Sequence, residues 1–200
     1  MASRDKVVLI SLRTQPWFDE MYTNLLAAMR RKVSIERAED EATALRLLSQ
    51  EPAPAAVLVT DEEIVSARTT WVAVIGYVRH GGTAVVMGHF PSFVNVTEIP
   101  SFFALAGLKW QCASYQRSES LLNSDAVGTE LAKKLPSSYS QKAVSLRDFE
   151  PADAWYLLED GDQESAALLA SVGRGKLGFL GDVNNEKESE TVLLAMCGLL

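Results

Sequence analysis

Residues 6–12 read KVVLISL, a nearly continuous apolar and β-branched run. A strand with one wet face alternates, so this run predicts a strand covered on both faces, as in the centre of a parallel sheet. Two further runs repeat the pattern, AAVLVT at 55–60 and TAVVM at 83–87. Between them the period becomes helical. Pro16 stands at a first helical position, and Trp17, Met21, Leu25 and Met29 recur every fourth residue until Arg30, Arg31 and Lys32 place positive charge at the carboxyl end. Residues 33–37 predict a short second strand. Glu39, Asp40 and Glu41 open a helix with Ala42, Leu45 and Leu48 on one face, stopped by Pro52 and Pro54. Thr69 or Thr70 is expected to cap a third helix through Trp71, Val74, Ile75 and Val78, ended by Gly81 and Gly82. This alternation of strand and helix predicts a parallel sheet with helices on both faces and right-handed crossovers.

After Phe90 the pattern loosens. Pro91 and Pro100 interrupt it while Phe93, Phe102, Phe103 and Trp110 crowd together, which predicts loops, a short helix and an edge strand over 110–116. From Gln141 onward KAVSLRDF, AWYLLE, SAALLASV and KLGFLGDV are four strand candidates, separated by turns such as Glu159-Asp160-Gly161 and Gly173-Arg174-Gly175. Strands that follow one another without helices imply antiparallel additions. Residues 186–200 place acidic groups first and Val192, Leu193, Met196 and Leu199 later, as in a closing helix. With no linker and no repeat, residues 1–200 read as one domain.

The 200 residues are 48% apolar and 22% charged, enough to bury a full core, which excludes disordered and fibrous classes. The count of 19 basic against 26 acidic residues gives a net charge of −7, and that field opposes nucleic acid as a partner. No apolar run approaches the ~20 residues of a membrane helix. The start, MASRDK, leads into a strand rather than a signal-peptide core, so a cytoplasmic location without membrane contact is expected. Two cysteines, Cys112 and Cys197, form no disulfide framework, and two histidines are too few for an expected metal site. No cofactor is expected either: Gly173-Arg174-Gly175 is too short for a phosphate loop and reads as a hairpin turn.

Open parallel sheets bind ligands beyond the carboxyl ends of their strands. That rule selects Arg13, Thr14 and Gln15 after the first strand, Asp61, Glu62 and Glu63 after the third, Gly88 and His89 after the fourth, and Asp182, Asn184 and Asn185 after the last. If the strand order is 2-1-3-4, Arg13 faces Asp61 across a crevice. His89 is the candidate base, acid or ligand contact, with Asp61 or Asp182 to orient its ring. The alternative is a structural histidine satisfied by a backbone carbonyl. Arg13 and Thr14 precede a helix start, where a carboxylate or phosphate could dock. The turn at Gly88 and His89 offers no nucleophile, and Cys197 reads as a small buried apolar residue.

The stretch from Gly81-Gly82-Thr83 to Gly88-His89, and the late run from Gly173-Arg174-Gly175 to Gly181-Asp182 followed by a helix, resemble the class I glutamine amidotransferase-like superfamily, closest to its ThuA-like (trehalose utilisation) branch. The resemblance implies a flavodoxin-like three-layer α/β/α sandwich, mostly parallel, with antiparallel additions in the C-terminal part. Catalytic members carry a Gly-x-Cys-x-Gly elbow and a distant His-x-Glu pair, and this chain has neither. Only His89 and Asp182 carry over, as crevice-lining positions. The expected function is an amidotransferase-like domain without glutaminase activity, binding a small polar ligand or serving in assembly. Two alternatives stand beside it. One is a hydrolase or isomerase with His89 as general base aided by Asp61 or Asp182, and the other is a homodimeric interaction protein.

Overall fold

The computed structural model describes residues 6–159 and 163–200, so the expected turn at Asp160 and Gly161 lies outside the described residues. The strands are β1 (Lys6–Ile10), β2 (Ser34–Ala38), β3 (Ala56–Val59), β4 (Thr83–Val86), β5 (Gln111–Leu122), β6 (Ser138–Arg147), β7 (Ala154–Leu158), β8 (Ala167–Val172) and β9 (Gly175–Leu180). They form a single mixed sheet in the order β2-β1-β3-β4-β9-β8-β7-β5-β6. The first five in that order run parallel, and β8, β7, β5 and β6 are antiparallel to their neighbours.

The helices are α1 (Phe18–Met21), α2 (Thr23–Arg30), α3 (Glu41–Leu48), α4 (Arg68–Arg79), α5 (Phe90–Phe93), α6 (Ile99–Ala104), α7 (Ser124–Val127), α8 (Thr129–Ala132) and α9 (Lys187–Met196). Side chains alternate across a strand, so β1 feeds two separate cores. Val8 and Ile10 pack with Ala44 and Leu47 of α3 and Trp71, Val74 and Val78 of α4. Val7 and Leu9 pack with Leu25, Leu26 and Met29 of α2 and Val192, Leu193 and Met196 of α9. No helix among the described residues is long and apolar enough to cross a membrane.

Several local expectations are corrected. The first helical stretch divides into α1 and α2 at Tyr22, and its buried face is Phe18, Tyr22, Leu25, Leu26 and Met29, leaving Trp17 exposed. Helix α3, capped by Asp40 through the Thr43 amide, buries Ala44 and Leu47 against the sheet and leaves Ala42 exposed, because Ala44 and Leu47 pack into the core with Val8 and Ile10. Helix α4 starts at Arg68 without a side-chain cap; Thr70 is buried inside it and donates to Glu41 Oε2 at 2.9 Å. Strand β5 is longer than expected and lies between β7 and β6 rather than at an edge. The run at 176–183 yields β9, which is antiparallel to β8 but parallel to β4.

The β5–β6 hairpin positions part of the site. Beyond its pairing with β5, β6 meets the chain after β9: the Val144 amide donates to Gly181 O at 3.0 Å and the Val183 amide to Lys142 O at 3.0 Å. The antiparallel half of the sheet therefore curls over the carboxyl end of β9, bringing Tyr139 and Gln141 toward Asp182.

Candidate functional site

Strand β1 leads to helices on one face and β3 to helices on the other, so their loops part at the carboxyl rim. Ser11 and Thr60 hydroxyls join across this point at 2.8 Å. Asp61 follows, 2% exposed, with one carboxylate oxygen 3.4 Å from the Thr60 hydroxyl and the other without a partner. Burial pushes its pKa up to about 6, against the lowering influence of the Arg13 and Glu63 amides. Arg13 thus meets Asp61 through its backbone rather than across the crevice. Its guanidinium, 65% exposed, stands 3.8 Å from Glu62 and 3.6 Å from Glu63. The other oxygen of Glu62 is buried and unpartnered, and the Thr14 hydroxyl donates back to Ser11 O at 3.1 Å.

The sign of the Asp61 shift sets a pH dependence. An acid whose folded pKa lies above its unfolded value of 3.8 binds its proton more tightly when folded. Stability from this group is therefore full below about pH 4 and falls as pH rises toward about 6, by about 3 kcal/mol in all.

Gly88 and His89 adjoin Asp61 through the backbone, the His89 amide donating to Thr60 O at 2.7 Å. Gly88 has φ +73°, and the turn it makes sends the imidazole inward. The ring is 3% exposed and lies 5.9 Å from Trp17, 5.3 Å from Phe18, 6.3 Å from Tyr22 and 5.8 Å from Phe93, centroid to centroid. Neither ring nitrogen has a hydrogen-bond partner. Burial lowers the His89 pKa, which favours the neutral ring. Neither Asp61 nor Asp182 is bonded to it, and no backbone carbonyl satisfies it. Trp17 and Phe93, 46% and 48% exposed, form the solvent side of this aromatic enclosure.

Asp182 holds its own loop together. Its two oxygens accept from the Asn184 amide at 2.8 Å and the Glu186 amide at 2.7 Å, while burial raises its pKa. Asn184 contributes mainly that amide. Asn185, at φ +54°, ties the loop to α1 by donating to Met21 O at 2.8 Å. Tyr22 bridges the two regions: it packs against the His89 ring and feels the Asp182 charge, which with burial raises its phenol pKa.

Sequence reasoning missed a second buried polar group beside Asp182. Tyr139 Oη, Gln141 Oε1 and Ser189 Oγ are all buried and unpartnered. Tyr139 and Gln141 come from β6 and Ser189 from α9, segments distant along the chain, so no local motif announces the group. Among the described residues, no group of three or more histidine, cysteine or acidic side chains is placed to hold a metal ion. Cys112 lies within β5, and the Cys197 thiol, buried at the end of α9, is pushed up to about 12. A hollow of about 950 Å³ lies at the opposite end of the strands, between α3 and α4. Its lining, including Leu45, Leu48 and Tyr77, holds none of the buried unpartnered atoms found among the described residues.

No family model matches the chain, and no curated protein matches it. Solved structures do. A ThuA-like protein from Parabacteroides merdae ATCC 43184 superposes with a TM-score of 0.57 at 13% identity, over 98% of this chain and 89% of that one. The fold is ThuA-like. A cytoplasmic protein from Salmonella typhimurium LT2 gives a TM-score of 0.62 at 10% identity over 97% of this chain and 96% of its own. A β-galactosidase from Bacillus circulans sp. alkalophilus gives 0.61 at 12% identity; the match covers 98% of this chain but only 31% of that enzyme. In this chain Gly81 and Gly82 precede β4 and the Gly88–His89 turn follows it.

Proposed function

We propose that the chain is a cytosolic amidotransferase-like domain, a flavodoxin-like three-layer sandwich with antiparallel additions, that lacks glutaminase activity and binds a small polar ligand at the carboxyl rim of its parallel strands. One observation carries this reading. Two polar side chains that are almost fully buried, His89 and Asp61, stand at the same rim with unpartnered atoms. Such an atom costs about 1–3 kcal/mol, and native proteins retain few of them. A ligand that donates to Asp61 or bonds an imidazole nitrogen removes that cost on binding.

General-base chemistry has less support. A catalytic imidazole is normally oriented by a bonded carboxylate, and both His89 nitrogens lack one. The turn after β4 presents glycine and histidine, and the two cysteines lie in β5 and after α9.

A thermal-shift screen of the full chain with sugars, amino acids and phosphates tests the proposal. A ligand at a hundred times its Kd is expected to stabilise by about 2.7 kcal/mol. His89→Phe, which fills the aromatic enclosure without a polar atom, is expected to fold and to lose that response. Silence from every compound, or an undiminished response in His89→Phe, contradicts the reading.

A further inference from the structure

Four buried polar side chains from three segments gather where β6 meets the chain after β9. Tyr139 and Gln141 stand two residues apart on β6 and so share one of its faces. Ser189 comes from the first turn of α9, and Asp182 follows β9. Each of the four is 5% exposed or less. The Ser189 hydroxyl and the Gln141 amide both act on the Tyr139 phenol, and Ser189 acts on Asp182 as well, so the groups face a common chamber. Yet the Tyr139 and Ser189 hydroxyls bond neither each other nor any other group, and Gln141 Oε1 is likewise unpartnered.

Neighbouring contacts hold these side chains in place. The Tyr139 ring lies edge-on to Tyr156 with centroids 5.0 Å apart, and the Tyr156 hydroxyl donates to Pro136 O at 2.7 Å. Gln141 Nε2 donates to the buried Ser120 hydroxyl at 2.9 Å. Two fixed hydroxyls that each both donate and accept, kept from bonding one another, call for a molecule small enough to stand between them and able to do the same.

We propose that this chamber holds a single internal water, which bridges the Tyr139 and Ser189 hydroxyls beside Asp182 and Gln141 and so braces the Asp182 loop against β6. The burial of all four side chains shuts out a larger ligand. Among the described residues no group of histidine, cysteine or acidic side chains is placed to hold a metal ion, and the Asp182 carboxylate is already met by the Asn184 and Glu186 amides.

Oxygen-17 relaxation dispersion on the full chain counts waters held inside long enough to tumble with the protein. The wild type is expected to exceed Ser189→Val by one such water, because valine removes the hydroxyl and fills its space. Equal counts overturn the proposal. A high-resolution crystal structure of the wild type gives a reading that needs no variant: a density peak within about 3.2 Å of both hydroxyls is expected. Direct bonding of the two hydroxyls, or a peak that refines as a cation, overturns the water. Hydrogen exchange reads the brace. Ser189→Ala is expected to lose protection at the Asn184 and Glu186 amides, while Ser171→Ala, at an exposed position on β8, leaves them unchanged. Undiminished protection in Ser189→Ala overturns the bracing role.

Discussion

Trp71→Ala is expected to lower the unfolding free energy by about 3–5 kcal/mol, a large share of the ~5–15 kcal/mol typical of a domain. Trp71 lies on the buried face of α4, stacked on Phe102 with ring centroids 4.0 Å apart and planes within 13°. Its indole N–H donates to Phe102 O at 3.0 Å. Removing the ring opens a void between α4 and α6 and strands that carbonyl. The void extends toward Phe103 and Trp110, which pack in series behind Phe102. Trp71→Phe keeps part of the ring area and loses the donor, so an intermediate loss is expected. Denaturant unfolding of both variants measures this; a loss below about 1 kcal/mol for Trp71→Ala shows that the cluster does not form the core of this face.

Gly88→Ala is expected to cost about 2–4 kcal/mol and to abolish ligand binding at the rim. At φ +73° an L-residue bears a left-handed penalty of about 1–2 kcal/mol before any contact is counted. The added Cβ would lie 2.8 Å from Thr60 O and 3.1 Å from Phe18 Cε2. Thr60 O is the acceptor for the His89 amide, so relief of the clash moves the imidazole itself. Gly76→Ala on α4 is the contrasting substitution. Nothing lies within 4 Å of its Cβ, and helix propensity gives an expected gain of about 0.5–1 kcal/mol. Equal losses in the two variants, measured by unfolding, contradict a special role for the turn after β4.

The parallel half of the sheet was legible because its inner strands β1, β3 and β4 are covered on both faces. The runs at β1, β3 and β4 therefore carry a signal that needs no partner to interpret, and the closing helix places Val192, Leu193 and Met196 inward as its spacing implies. The face of α3 was less legible. Its expected face, Ala42, Leu45 and Leu48, differs from the buried pair Ala44 and Leu47, and packing against the sheet, not a local signal, settles which residues turn inward. The extent of β5 was hidden by its composition: residues 114–120 are polar or exposed, and a strand held by cross-strand pairing has no apolar alternation to show. At the rim, the strand-end rule found Asp61, His89 and Asp182 but not their burial. That depends on Trp17, Phe18 and Tyr22, which the loop after β1 folds back over His89, and on β6 meeting the end of β9. Both are contacts between segments distant along the chain.

The stability of the folded chain against pH, compared with that of Asp61→Asn, addresses the rim most directly. Asp19 and Asp40 have pKa values lowered by hydrogen bonds, so they shift stability the opposite way and the wild-type curve alone mixes the two effects. The difference between the two proteins isolates Asp61. Urea unfolding from pH 4 to pH 7 is expected to show the variant gaining on the wild type by about 2 kcal/mol, most of it as pH rises through 4–6, because the amide never bears the cost of a buried charge. A difference that stays flat across this range, or a variant that loses ground as pH rises, would mean that the Asp61 carboxylate is fully satisfied within the fold and holds nothing in reserve for a ligand.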